Sequence, residues 1–125
     1  MNNKPKILIV DDEPFNVDYL EQELEDLNYE TISAVNGQDA LEKIASESPD
    51  LVLLDIMMPR LDGFGVIEQL RANPVTQDLP IIIISAKELT GEESDRLKES
   101  VAFVMRKQGF DGEKLVQEIR SVLNE

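Results

Sequence analysis

Short apolar runs recur along the chain and predict the strands of a buried sheet. Three runs of four residues, at 7–10, 51–54 and 81–84, are too short for helices and are rich in aliphatic side chains. Strands of a parallel sheet that is covered on both faces have this composition. Two weaker strands are predicted at 30–34 and 101–106, where the residues are more polar or smaller, as is typical of strands at sheet edges.

Apolar residues spaced three and four apart fill the intervals between these strands and predict helices. Pro14 suits the first turn of the first helix, and Asn36 and Asp111 can cap the second and the last. Thr90 and Glu93 have the spacing of a capping box at the start of the fourth. The apolar stripes are Val17, Leu20, Leu24 and Leu27; Leu41 and Ile44; Val66, Ile67 and Leu70; and Leu115, Ile119 and Val122.

A strand followed by a helix, repeated five times, predicts one doubly wound α/β domain of flavodoxin-like topology over residues 1–125, with no output domain. The two edge-like strands, the second and the fifth, should flank the other three, which gives the strand order 2-1-3-4-5. Ligands of such sheets bind beyond the carboxyl ends of the strands, where the chain reverses direction between the first and third strands.

Composition narrows the chemistry that can take place there. The absence of cysteine and histidine excludes disulfides, zinc-thiolate sites and the commonest general base. A net charge of −14 disfavours binding to nucleic acid and to anionic membranes. Because no apolar run could span a bilayer and no signal peptide is apparent, we expect a soluble, cytoplasmic protein without membrane insertion.

Polar side chains follow four of the five predicted strands: Asp11 and Asp12, then Asp55, Ser85 and Lys107. Each alone has an ordinary explanation as a helix cap, a turn residue or a solvated charge. Together, three carboxylates, a hydroxyl and an ammonium group should meet at the predicted crevice. Crowded carboxylates repel one another and need a cation, and oxygen ligands with room for water suit Mg²⁺. A carboxylate can also act as a nucleophile toward phosphorus.

The motifs that carry these residues resemble the receiver domain of two-component response regulators, in order and over essentially the whole chain. They are IVDDEP at 9–14, LLDIMMP at 53–59 followed by DG at 62–63, SA at 85–86, and Lys107. The resemblance implies that Asp55 accepts a phosphoryl group.

The resemblance also implies how the other residues of the site act. Asp12, Asp55 and the main-chain carbonyl of Met57 would ligate Mg²⁺ or Mn²⁺, and Asp11 would help through water. Lys107 would hold a phosphoryl oxygen.

The switch and the partners follow from the same resemblance. The Ser85 hydroxyl would move toward the phosphoryl group, and small Ala86 would leave room for it. The donor would be a phosphohistidine on a sensor histidine kinase or a histidine phosphotransfer protein. Phosphorylation would alter the face made by the fourth helix, fifth strand and fifth helix, which would contact a downstream protein or a second copy. Such a protein is a phosphoacceptor that catalyses its own phosphorylation and dephosphorylation rather than an enzyme.

Several residues depart from the commonest family pattern. Val104 stands where many members have a switching aromatic residue, and strand alternation predicts that neighbouring Phe103 points to the other face. Met57 and Lys87 lie where the family tunes the access of hydrolytic water, although they could equally be surface bulk and a solvated charge.

A second departure follows Lys107. Many members have a cis proline there, whereas this chain has Gln108 and Gly109, which predict a trans bond and a glycine turn. The sequence KQGF at 107–110 resembles receivers attached to hybrid kinases.

Three other classes of protein share parts of this pattern. Phosphatases of the haloacid dehalogenase type usually have a second aspartate two residues after the nucleophile, and here Met57 takes that position. A flavin carrier of the same topology would not place the acidic residues 11–13 beside a phosphate. A pseudo-receiver that binds partners without phosphorylation is disfavoured, because all five expected site residues are present, and the geometry of the site decides between the two.

Overall fold

Five parallel strands, each followed by a helix, make up the computed structural model, which describes residues 4–55, 63–85, 89–98, 100–106 and 111–123. The strands are β1 (Lys6–Val10), β2 (Glu30–Ala34), β3 (Leu51–Leu54), β4 (Ile81–Ser85) and β5 (Phe103–Arg106). The helices are α1 (Pro14–Asp26), α2 (Gly37–Glu47), α3 (Gly63–Ala72), α4 (Gly91–Lys98) and α5 (Gly112–Val122).

The sheet has the order β2-β1-β3-β4-β5, which confirms the predicted topology and its two edge strands. The register brings the carboxyl ends of the strands together at one edge. Val10, the last residue of β1, pairs with both Ala34 of β2 and Leu54 of β3. On the other side, Leu54 pairs with Ile83 of β4.

Strand alternation divides the core into two layers, one on each face of the sheet. Leu8 and Val10 pack with residues of α2, α3 and α4, whereas Ile7 and Ile9 pack with residues of α1 and α5. Phe103 and Val104 pack against opposite layers, as the sequence predicts. Burying one such aliphatic side chain stabilises the fold by about 1.5–3 kcal/mol, so these layers fix the sheet on which the site is built.

The predicted helix caps are present. The Asn36 side chain accepts a hydrogen bond from the Asp39 amide at 2.8 Å. Asp111 accepts from two amides at the start of α5. Thr90 and Glu93 form both hydrogen bonds of the capping box, at 3.0 and 3.1 Å. Because they satisfy amides that lack helical partners, these caps define where α2, α4 and α5 begin.

Two details differ from the sequence prediction. Leu27 is 36% exposed rather than buried, because α1 ends there and Asn28 turns the chain with a φ of 76°. The fifth strand begins at Phe103 rather than at 101, because the amide of Val101 donates to the carbonyl of Leu97 and so closes the end of α4. Among the described residues, no helix has the length and apolar character needed to cross a bilayer.

Candidate phosphoacceptor and metal site

The pairing of the central strands sets the positions of two of the predicted carboxylates. The amide of Asp55 donates to the carbonyl of Val10 at 2.9 Å, and the amide of Asp11 donates to the carbonyl of Ala34 at 3.1 Å. Both aspartates therefore continue the sheet by one residue beyond β1 and β3. Their side chains start from neighbouring strands at the same edge.

Asp11, Asp12 and Asp55 come together as the sequence predicts. Each can offer one carboxylate oxygen such that all three atoms lie within 4.8 Å of one another. Asp11 and Asp55 are each 4% exposed, whereas Asp12 is exposed to solvent. Negative charges at this spacing repel one another more strongly beside buried protein than in water, so the arrangement favours a bound cation.

The start of α1 holds the Asp11 side chain in place. Its Oδ1 accepts a hydrogen bond from the Glu13 amide at 2.9 Å, and its Oδ2 accepts from the Asn16 side chain at 3.4 Å. Glu13 caps α1 without a side-chain hydrogen bond, and Pro14 has no amide hydrogen to satisfy. One carboxylate thus serves both the acidic cluster and the first turn of the helix.

Sequence reasoning did not identify Asn16 as part of the site. The available signal was the position of Asn16 in the first turn of α1, because a polar side chain there can reach back to the loop that precedes the helix. Whether that residue meets Asp11 depends on the angle at which α1 leaves β1.

Ser85 lies at the same edge of the sheet, at the end of β4, and its exposed fraction is 0%. Since Leu54 pairs with Ile83, the register carries Ser85 just past the level of Asp55. Val104, one strand further along, pairs with Ile83 and is partly buried against the layer that contains Leu97. Asp55, Ser85 and Val104 therefore lie on three successive strands.

Four predicted site residues lie outside the described residues: Met57, Ala86, Lys87 and Lys107. The predicted trans bond and glycine turn after Lys107 lie outside them as well. Arg106, the last described residue before Lys107, pairs with Ser85.

The first half of α1, the helix that follows Asp11 and Asp12, carries two exposed aromatic side chains that the sequence reasoning did not single out. Phe15 is 87% exposed and Tyr19 is 50% exposed. They are four residues apart, so they share one side of the helix, away from buried Val17 and Leu20. The signal in the sequence was that both lie off the apolar stripe of α1.

Comparison with known proteins matches this arrangement to one family. Residues 7–120 match the family described as response regulator receiver domain. A probable transcriptional regulator ycf27 of Pyropia yezoensis is 44% identical over 124 residues, which are 98% of this chain and 49% of that protein. The chain thus spans about half the length of this curated relative.

Two solved structures show the same fold. The N-terminal domain of a response regulator receiver protein from Methanoculleus marisnigri is 35% identical, with a TM-score of 0.77 and coverage of 96% of this chain and 97% of that one. The BeF3-activated N-terminal receiver domain of Klebsiella pneumoniae RstA is 28% identical, with a TM-score of 0.85 and coverage of 96% and 99%. The chain therefore belongs to the response regulator receiver domain family.

Proposed function

We propose that this domain accepts a phosphoryl group on Asp55 in a reaction that depends on Mg²⁺, or on Mn²⁺ in its place. The observation that carries this proposal is the meeting of the Asp11, Asp12 and Asp55 carboxylates at the carboxyl edge of the sheet. A buried carboxylate at the end of a central strand has a fixed position. It can therefore present one oxygen to an incoming phosphorus atom.

The residues present fit a hard divalent cation. Mg²⁺ prefers oxygen ligands, and carboxylates are common among them. The three carboxylate oxygens, all within 4.8 Å of one another, supply oxygen groups of this kind in one place. Asp12, Asp55 and the Met57 carbonyl would be the direct ligands, and Asp11 would act through water. A bound ion would neutralise charge that develops on the transferred group.

The chain's own residues then divide the work of the transfer. An Asp55 oxygen attacks phosphorus, the new O–P bond forms, and the bond from phosphorus to the donor nitrogen breaks. The hydrogen bonds from Glu13 and Asn16 hold Asp11 beside Asp55, so the site keeps its geometry through the reaction. Lys107 pairs with a phosphoryl oxygen.

The same group would act as the signal. The Ser85 hydroxyl moves toward the phosphoryl group, with room left by Ala86, and the segment between β4 and α4 follows. This motion would bias the α4-β5-α5 face toward its active arrangement. Val104 takes the place of an aromatic switch residue, so the swing of an aromatic ring at this position would not be part of the response. Met57 and Lys87 are candidates for setting the rate of hydrolysis.

A phosphohistidine on a sensor histidine kinase or a histidine phosphotransfer protein would be the donor. Exposed Phe15 and Tyr19 on α1 support docking of such a protein beside the acidic cluster, since exposed aromatic side chains are favoured at protein interfaces. The KQGF segment supports a receiver of the hybrid-kinase type. The proposal places the protein in the cytoplasm, where ATP-derived phosphoryl donors are made.

The receiver domain itself would carry the output surface. Its output would be binding of a downstream protein, or of a second copy, through the α4-β5-α5 face. The domain would catalyse its own phosphorylation and dephosphorylation without acting as an enzyme on other molecules.

The test is incubation with acetyl phosphate or phosphoramidate and Mg²⁺, followed by measurement of the intact mass. We expect the wild type to gain one phosphoryl group and Asp55→Asn to gain none. Asp26→Asn, which removes an exposed carboxylate at the far end of α1, is the matched control and should behave as the wild type. No gain by the wild type with any donor would instead favour a pseudo-receiver that works without phosphorylation.

A further inference from the structure

A groove without charged lining lies between α2 and α3. Its volume is about 400 Å³, and nine described residues line it. Buried Ile44 and Leu70 form its floor, and Leu41 is half-buried beside them. None of the nine lining residues is charged, whereas the grooves that α3 forms with α4 and that α1 forms with α5 each include acidic and basic side chains. On a chain with a net charge of −14, this groove is therefore suited to contact with another apolar surface.

Val75 stands at the rim of this groove. Its side chain is 90% exposed, the largest fraction among the large apolar residues that the structure describes. Val75 follows Pro74 in the segment between α3 and β4, so it projects from the domain beside a recess of the same apolar character. An aliphatic side chain in that position stabilises a complex when a partner removes it from water. We call the groove together with Val75 the α2–α3 face.

Hydrogen bonds hold Val75 in this position. Asn73 Oδ1 accepts from the Val75 amide at 3.0 Å, and the Thr76 hydroxyl donates to the Leu70 carbonyl at 2.7 Å. Arg71 adds a third contact, because its Nη1 donates to the Thr76 carbonyl at 3.2 Å. The backbone around Val75 is thus ordered before any partner binds, so docking loses little conformational freedom.

The α2–α3 face lies at the opposite edge of the sheet from the acidic cluster. α2 ends at Glu47, shortly before β3 begins at Leu51, and the segment that carries Val75 leads into the start of β4 at Ile81. Asp55, in contrast, follows the end of β3. A protein bound to the α2–α3 face therefore leaves the phosphoacceptor edge open.

We propose that the α2–α3 face binds a second copy of this chain, with Val75 of each copy seated in the groove of the other. This inference goes beyond the proposed function and does not depend on it. In a dimer with two-fold symmetry, both copies use the same surface, so that surface must carry a projection and a matching recess. The α2–α3 face carries both, and the pairing forms whether or not Asp55 is phosphorylated.

The polar residues of the groove favour a second copy over another partner. At a two-fold interface, residues near the axis meet their own counterparts. The amide side chains of Gln69 and Asn73 both donate and accept hydrogen bonds, so each can pair with its counterpart, which two carboxylates could not do. A basic protein, which the acidic chain attracts from a distance, would find no carboxylate in the described lining to pair with a buried cation.

The net charge predicts how the dimer responds to salt. Two copies with a charge of −14 each repel one another. Salt screens this repulsion, so the dimer should become more stable as the ionic strength increases. A complex held together by opposite charges would respond in the reverse direction.

The test is sedimentation equilibrium of the full chain in low and high sodium chloride, without Mg²⁺ or a phosphoryl donor. We expect a monomer–dimer equilibrium that shifts toward the dimer as salt increases. Val75→Ser should raise the dissociation constant about a hundredfold, because the dimer contains this contact twice and burial of one valine changes an equilibrium by about tenfold or more. Ala45→Glu places a charge in the groove lining and should abolish the dimer. Both residues are exposed, so neither change should disturb folding.

Val35→Ser is the matched control. Val35 is 58% exposed and follows the end of β2, away from the α2–α3 face, so this variant should keep the wild-type dissociation constant. A wild type that stays monomeric at every concentration and salt would refute the second copy and leave the groove to a different protein. Equal dissociation constants for Val75→Ser and Val35→Ser, or a dimer that weakens as salt increases, would also overturn the inference. Because no phosphoryl donor is present, none of these results bears on the proposed function.

Discussion

Asp11 and Asp55 leave neighbouring parallel strands at the same level, each 4% exposed, with carboxylate oxygens inside a cluster no wider than 4.8 Å. The fold thus brings together two charges that repel each other. The core layers on both faces of the sheet hold the strands against this repulsion. The domain therefore contains an electrostatic repulsion that a bound cation would relieve.

Neutralising one of these carboxylates should stabilise the protein when no divalent cation is present. We expect Asp55→Asn without Mg²⁺ to raise the free energy of unfolding by about 1–2 kcal/mol, because it removes a like-charge interaction beside buried protein. Thermal unfolding in EDTA measures the change. Adding Mg²⁺ should raise the melting temperature of the wild type much more than that of the variant. An equal response of both proteins to Mg²⁺ would contradict a metal site at Asp55.

Phe15 should affect the rate of phosphoryl transfer from a protein donor but not from a small-molecule donor. Phe15→Ala removes an exposed ring at the start of α1. We expect phosphoryl transfer from a phosphorylated histidine phosphotransfer domain to slow by about tenfold, which is the effect of losing one modest contact at a protein interface. The rate with acetyl phosphate should not change, because the hydrogen bonds that hold Asp11 come from the Glu13 amide and the Asn16 side chain. Val75→Ala, which removes an exposed apolar side chain elsewhere, is the control. Equal slowing with both donors would mean that Phe15 supports the site itself.

Glu21 should make stability depend on pH. Partial burial raises the pKa of Glu21, and the charges of Glu25 and Asp18 raise it further. Because the pKa of Glu21 is higher in the folded than in the unfolded protein, protonation of this carboxyl group stabilises the fold. The stabilisation is complete at pH values below the unfolded pKa and is lost as the pH rises through the folded pKa. Glu21→Gln should therefore increase stability near pH 7, within the roughly 0.5 kcal/mol typical of surface changes, and have no effect near pH 3.

Thermal melts at both pH values measure this difference. Glu42→Gln removes an exposed charge from α2 and controls for net charge. A stabilisation by Glu21→Gln that persists unchanged at pH 3 would rule out titration of Glu21 as its cause.

Arg71 should be needed for the order of the chain between α4 and β5. Burial lowers the pKa of its guanidinium, while nearby Asp78 acts in the opposite direction, and the group stays charged at neutral pH. The Arg71 guanidinium donates to the carbonyls of Ser100, Thr76 and Gln77. A lysine ammonium group cannot reach all three, so we expect Arg71→Lys to lower the free energy of unfolding by about 1–3 kcal/mol. Hydrogen exchange should become faster around Ser100 and stay unchanged in β1. Unchanged exchange around Ser100 would show that the Arg71 contacts do not hold this segment.

Much of this molecule could be predicted from the sequence because its signals are local. The apolar runs at 7–10, 51–54 and 81–84 form the three central strands. The positions of β2 and β5 at the sheet edges could be predicted because their residues are more polar or smaller. Asn36 and Asp111 cap helices because their side chains reach amides two or three residues away. The acidic cluster was predictable because the ends of parallel strands must meet.

Other features depend on how separate elements pack, and the sequence does not encode them locally. Leu27 fits the helical period of α1, yet the left-handed turn at Asn28 ends the helix and leaves it exposed. The meeting of Arg96 with Phe64 depends on the distance and angle between α3 and α4. Neither spacing nor composition fixes those quantities.

The most direct test of the central claim locates the phosphoryl group chemically. After reaction with acetyl phosphate and Mg²⁺, borohydride reduces an aspartyl phosphate to homoserine, and peptide mass spectrometry identifies the altered residue. We predict homoserine at position 55 alone, and only when the divalent cation is present during phosphorylation. Modification at another residue, or modification of Asp55 that is equally efficient in EDTA, would contradict a magnesium-dependent phosphoacceptor at the edge of this sheet.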